Sequence, residues 1–239
     1  MKSTSGQLKS RGFAFEEDIE LYRNYGESEL LELLKNREAF KRTISVRLLS
    51  QKPKDRFLGI FCDMLKSGDK LYTKLELQRA LSEYGEKAIP FLTPLLGTIG
   101  NNQHRKIEIV DINKKSYPCP RDIIGMILIR IGPKVFSALK KLLIEDSSPA
   151  QINEAIDIIG HITRNFHDYS MEKTLLDYYR AHRDNEFIQW KIVRAFQAFN
   201  SAEISELLKD IAQNHRHKVL AEEAKRSIAR IESRLIDKK

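Results

Sequence analysis

Apolar positions recur at three- and four-residue spacing through most of the chain, and this periodicity predicts a succession of short helices. The clearest stretch is residues 71–99. There Leu71, Leu75, Ala80, Leu81 and Tyr84 form one apolar stripe, and Ile89, Leu92, Leu95, Leu96 and Ile99 form a second. Between them Gly85 suits the left-handed residue that closes a helix, and Pro90 falls in the first turns of the next helix, where a missing N–H costs least. Upstream, residues 27–35 and 40–49 read as a helix pair. A further helix follows Pro53 and carries Phe57, Ile60, Phe61, Met64 and Leu65 to a stop at Gly68, with Asp69 as a cap for the next. Downstream, helices are predicted over 121–131, 134–144, 152–166, 171–182, 186–199, 204–213 and 218–235. Residues 1–14, rich in Ser, Gly and Lys, read as a frayed or disordered N-terminus, and 15–239 read as a single all-α domain.

The helical pattern breaks once. Residues 100–120 alternate apolar and polar through 106–112, then offer Asn113 and two prolines, so they read as an inserted loop or small hairpin. The turns between paired helices, at Gln51, Gly85, Gly132, His167 and Asn200, lie 34, 47, 35 and 33 residues apart. One helical hairpin repeated along the chain, with the long gap holding the insertion, explains this spacing.

These residues carry a family resemblance. The run Tyr84-Gly85-Glu86-Lys87-Ala88-Ile89-Pro90-Phe91-Leu92, followed by Leu95 and Leu96, resembles the inter-helix turn and second helix of a HEAT repeat. Ile131-Gly132-Pro133 leading to Leu139 and Leu142 is a poorer copy, and Ile158-Ile159-Gly160 resembles the end of a first helix. The sequence departs from the family at Asn153-Glu154, which replace a Val-Arg pair, and at Asn200, which replaces a turn glycine. The resemblance implies a right-handed α-solenoid of about five to six HEAT-like hairpins, second helices lining the concave side, and a terminal cap. The last helix suits that cap, with Leu220, Ala224, Ile228, Ile231 and Leu235 on one face and Lys225, Arg226, Arg230 and Arg234 read as its wet face.

Composition narrows the class of partner. The chain is 41% hydrophobic and 31% charged, enough to fold and stay in solution, and its net charge of +8 permits anionic partners. Cys62 and Cys119 have no metal-ligand spacing and are expected as reduced thiols. The most apolar segment, 123–131, is far shorter than the ~20 residues that cross a bilayer, and the N-terminus lacks a signal-type apolar run. A cytoplasmic protein without a membrane partner is therefore expected.

The sequence offers little catalytic chemistry. Phosphate-loop and dinucleotide glycine patterns are absent, and none of the six histidines is followed by Glu, which removes the His-Glu iron motif of the HEAT-like hydroxylases. His215 and His217 point apart on a helix end. Cys119, between Pro118 and Pro120, shows no base beside it. Neither a catalytic residue, a cofactor nor a metal site is assigned. Trp190, with Phe187, Phe196 and Phe199, reads as helix-pair core or, alternatively, as a base-stacking platform of the kind a HEAT-like alkylpurine glycosylase needs.

Charge placement carries the functional expectation. Between Asn101 and Lys141 nine cations face three acids, a surplus of six of the chain's eight, although extending the window to Asp146 lowers it to four. Arg105, Lys106, Lys114, Lys115, Arg121, Lys134, Lys140 and Lys141 are the expected partner-binding residues, with Lys114 and Lys115 at the tip of the insertion and Lys134 and Lys141 on one helix face. Two functions fit: a non-catalytic scaffold for an acidic protein partner, or a nucleic-acid-binding solenoid using the same cations. A bilin-lyase type of activity has only the fold in its favour.

Overall fold

The computed structural model of the protein describes residues 3–107, 117, 119–145 and 147–236. Among these residues the secondary structure is entirely helical, and no helix is long and apolar enough to cross a membrane. The predicted hairpin of the 100–120 insertion falls mostly on residues outside the described set. The chain divides into two compact units, residues 1–95 and 96–239.

The first unit contains α1 (Ser5–Ser10), α2 (Glu16–Glu20), α3 (Glu27–Leu33), α4 (Ala39–Ser50), α5 (Arg56–Ser67), α6 (Leu71–Glu83) and α7 (Ile89–Leu92). Its centre is the packing of α4 on α6, flanked by α3 and α5, with Ile44, Phe61, Leu65, Leu77 and Leu81 fully buried. A polar ladder runs along the same seam: Thr43 Oγ1 lies 2.9 Å from Thr73 Oγ1, Arg47 donates to Glu76 at 2.8 Å and Arg79 to Ser50 at 2.8 Å.

Four local expectations change in this unit. The N-terminal stretch carries α1, and Tyr72 N–H donates to the Arg11 carbonyl at 3.0 Å, so the segment is tied to α6 rather than loose. Leu71 and Leu75, assigned to the buried stripe of α6, are 45% and 47% exposed, because Thr73, Leu77, Ala80 and Leu81 on the opposite side face the core. Asp69 does not cap α6 with an N2 or N3 bond; its carboxylate takes the Arg42 guanidinium at 2.5 Å and the Lys70 N–H at 2.6 Å. The second helix of the best HEAT-like stretch is only four residues long, flanked by 3-10 turns. Pro94 lacks the N–H a longer helix needs, and Gly97 at φ +73° turns the chain away.

The second unit contains α8 (Ile123–Ile131), α9 (Phe136–Ile144), α10 (Pro149–Phe166), α11 (Glu172–Ala181), α12 (Glu186–Phe196), α13 (Ala202–Asn214) and α14 (Lys218–Ile236). Helix starts are set by side-chain caps: Asp122, Ser148, Asn185 and Ser201 each accept an N–H of the following first turn. Helix ends fall at Gly132, with φ +83°, and at His167, which takes the left-handed conformation at φ 56°. Helices α8, α10, α12 and α14 pack in succession, and α9, α11 and α13 each pack on the next member of that row. Contacts along the row join residues one repeat apart: Lys191 to Asp157 across 34 positions, Ser227 to the Val193 carbonyl across 34, and Arg234 to the Phe199 carbonyl across 35. Arg226 and Arg234, read as the wet face of the last helix, are 8% and 9% exposed. Arg234 is drawn in by the free carbonyls of Ala198 and Phe199, and Arg226 by Glu223 on its own helix.

Two glycines in the turn leaving α7 separate conformation from crowding. A Cβ on Gly97 would sit 2.8 Å from the Ala150 carbonyl, whereas one on Gly100, also at positive φ, meets nothing within 4 Å. Gly100→Ala is expected to cost only the left-handed penalty of about 1–2 kcal/mol. Gly97→Ala should lower the urea midpoint measurably further, because backbone must shift as well; equal midpoints for the two variants would contradict this packing.

Candidate functional site

Helices α10 and α12 are buried on nearly every side, yet the sequences Asn153-Glu154-Ala155-Ile156-Asp157 and Trp190-Lys191-Ile192-Val193-Arg194 place five polar or charged side chains there. Lys191 has no exposed surface and donates to Asp157 Oδ2 at 2.6 Å. Arg194 adds a second cation 3.8 Å from the same oxygen, with its guanidinium 4.8 Å over the Trp190 ring. Buried charges that are not paired cost several kcal/mol each, and here each of the three ionised groups faces an opposite charge. Glu223 and Arg226 on α14 extend the charged seam by an ion pair of their own.

What closes the seam is His104, with Gln103 and Tyr117 beside the same row. His104 is 5% exposed, stands edge-on to Trp190 at 5.6 Å and receives Lys191 Nζ at 3.4 Å on Nδ1. An ammonium can only donate, so Nδ1 accepts and the proton resides on Nε2. Tyr117 stands edge-on to His161 at 5.7 Å, and its hydroxyl occupies the space a side chain on Gly160 would fill, 2.0 Å from a Cβ built there. Gln103 and the Gly97 N–H both donate to Asp122, the cap of α8, at 2.8 and 3.2 Å.

The environment moves the titrations far from their ordinary values. Burial, then the facing Lys191 and Arg194, lower His104 to about 4. Burial lifts Glu154 to about 7 against the pull of Lys191. Burial also favours neutral Asp157, but Lys191 and Arg194 outweigh it and hold the carboxyl below its usual value. Burial raises the Tyr117 hydroxyl and lowers His161. Glu154 Oε2 and Asn153 Oδ1 lack a hydrogen-bond partner among the described residues. The seam is thus an interior ionic lock with a protonatable acid beside it, and its Asp157, Lys191 and His104 offer a substrate almost no surface.

The expected partner-binding residues lie elsewhere. Lys134 sits in the 3-10 turn Pro133–Val135 rather than in α9 itself, while Lys140 and Lys141 are exposed on α9 and Lys141 approaches Glu145 at 3.7 Å. Arg105 and Lys106 are exposed on the segment whose neighbour His104 is buried, with Arg105 bonded to Asn101 at 3.2 Å; Arg121 is exposed beside the buried Asp122. Lys114 and Lys115 lie outside the described residues. The Trp190 stacking platform is not available at the surface, since the ring is fully buried against Phe187. Cys119 is exposed, but burial of its thiol raises the pKa, and Sγ lies against Met126 rather than a base.

The open side of the second unit is the one bearing α9, α11 and α13. Between α9 and α11 runs a groove of about 570 Å³ with Leu143, Ile144 and Ala181 along it, the stacked Tyr178–His182 pair at one end and Lys140 and Lys173 on its edges. Ile144 is 68% exposed. Periodicity did not reveal the seam: Asp157, Lys191 and Arg194 look like ordinary helix-surface residues until the 34-residue separation of Asp157 and Lys191 is matched to the repeat.

The two shifted groups give opposite pH slopes. Glu154 titrates at about 7 in the fold against an ordinary 4.5, so the folded state binds its proton more tightly and stability falls as pH rises through that interval. His104 titrates at about 4 against an ordinary 6.5, so stability falls as pH drops through that interval. Glu154→Gln should remove a loss of several degrees in melting temperature between about pH 5 and 8, and His104→Gln should flatten the acid side instead. A wild-type slope retained in both variants would contradict these assignments.

A scan against protein-family models and a search of curated proteins each return no match to this chain.

Proposed function

We propose that the chain is a non-catalytic, HEAT-like helical-repeat scaffold, a right-handed α-solenoid of about five to six hairpins, that binds an acidic protein partner through the second-helix side of its C-terminal unit. The repeat reading is supported by contacts that join equivalent positions 34 or 35 residues apart along α10, α12 and α14. The observation that carries the binding reading is an asymmetry of exposure. The first helices α10 and α12 are enclosed, whereas α9 and α11 present a groove edged by Lys140 and Lys173, with Lys134 and Lys141 exposed nearby in the chain.

The internal chemistry favours a scaffold over an enzyme. The strongest acid–base groups, Asp157, Lys191 and Arg194, are engaged with each other, and His104 is held neutral between them and Trp190. A protein partner is favoured over nucleic acid because single-strand binding draws on aromatic faces that stack bases, and the one tryptophan is enclosed.

The test is affinity capture from native lysate, with and without nuclease, by wild type and by a Lys134→Glu, Lys140→Glu, Lys141→Glu variant. A defined protein retained after nuclease and lost with the variant is expected. Nucleic acid recovered by wild type and lost with the variant would replace the protein partner by a nucleic acid, and equal recovery by both would reduce the cations to solvated surface.

A further inference from the structure

Resting on that reading, we propose that the groove between α9 and α11 is the receptor for an amphipathic helix of the partner, one that carries apolar side chains along one face and a carboxylate opposite Lys140.

The shape of the groove selects a helix. On α9 the lining positions are Lys140, Leu143 and Ile144, and on α11 they are Lys173, Thr174, Asp177, Tyr178 and Ala181, in each case positions three or four residues apart together with their immediate neighbours, hence one face of each helix. Each wall is therefore one helical ridge, and the space between two such ridges accepts the ridge of a third helix. Helix α11 has ten residues, so at about 1.5 Å per residue it offers a guest about 15 Å, or close to three turns.

Burial selects an apolar centre for that guest. Ile144 closes α9 with 68% of its surface in water, and Leu143 beside it is only 3% exposed, so the floor is already packed and the ridge above it is bare. Removing such a side chain from water is worth about 25 cal/mol per Å² of apolar area, which a polar guest would not recover.

Charge selects the sign. Lys173 is neutralised within its own helix by Asp177 at 3.2 Å, and Asp177 is also approached by Arg180 at 3.7 Å. Lys141, next in the chain, has Glu145. Lys140 has no ion pair among the described residues and stands on the edge of the groove, whereas Asp177, the acid that also lines it, already has Lys173 and Arg180, so Lys140 is the cation left for a guest carboxylate. At the other end the His182 ring is oriented by the Tyr178 carbonyl at 2.9 Å; a carbonyl only accepts, so Nδ1 carries a proton. In neutral His182, Nε2 is then an acceptor for a donor on the guest.

The proposal is tested by fluorescence anisotropy with two synthetic helical peptides of about fourteen residues, both with leucines at i, i+3, i+4 and i+7, one flanked by glutamates and one by lysines. The glutamate peptide is expected to bind the full chain saturably and more tightly than the lysine peptide. Ile144→Asp should weaken it at least tenfold without changing the melting curve, since Ile144 is exposed. Lys140→Glu should reverse the preference between the two peptides. Failure of the glutamate peptide to bind, or binding indifferent to both substitutions, would overturn the groove. If in addition Ile144→Asp retains the captured partner while Lys134→Glu with Lys141→Glu loses it, the groove falls and the basic surface stands. Loss of neither would remove both readings.

Discussion

Lys191 cannot reach water, and that constraint organises the C-terminal unit. An ammonium with no exposed surface must be paired and hydrogen-bonded where it stands, and the partner available is Asp157, one repeat earlier on the neighbouring helix. The pair ties α10 to α12 at positions 34 residues apart. Arg194 then shares the same carboxylate, and its presence with Lys191 explains why His104, the residue that closes the seam, stays neutral. Glu154, one turn from Asp157, is a further buried acid, and burial keeps its proton on into the neutral range.

The same constraint divides the faces of the unit. The charges Asp157, Lys191 and Arg194 on α10 and α12 look inward, with His104 against Lys191 and Tyr117 against His161. Gly160 is the point of closest approach, since any side chain there would collide with the Tyr117 hydroxyl. Cations on α9 look outward and stand beside a groove. Residue types that a composition count treats alike therefore stand in separate environments: internal lysine and arginine join neighbouring helices of the row, and the lysines of α9 stay in water.

Much of the fold was legible in the periodicity. The helices from α8 to α14 begin and end within a few residues of their predicted bounds, because each carries an apolar stripe, and α8, α10, α12 and α13 start at a side-chain cap. The stretch most similar to a HEAT repeat proved the least regular, since Pro94 and Gly97 outweigh the apolar spacing of Leu92, Leu95 and Leu96. Leu71 and Leu75 illustrate a different limit: spacing identifies a face but not which of two apolar faces is covered. The site was legible only in part. Lys134 and Lys141 were placed on the surface by their phase against Phe136, Leu139 and Leu143, whereas Arg226 and Arg234 were misplaced because a helix-end carbonyl or a neighbouring acid draws a long cation inward without any change in the local pattern.

The central claim, that lysines of this unit are divided between an enclosed ionic seam and an open binding face, is tested most directly by amine-specific labelling of the native chain read residue by residue by mass spectrometry. The account predicts rapid modification of Lys140 and protection of Lys191 until the protein unfolds. Modification of Lys191 in the native protein at a rate near that of Lys140 would contradict it.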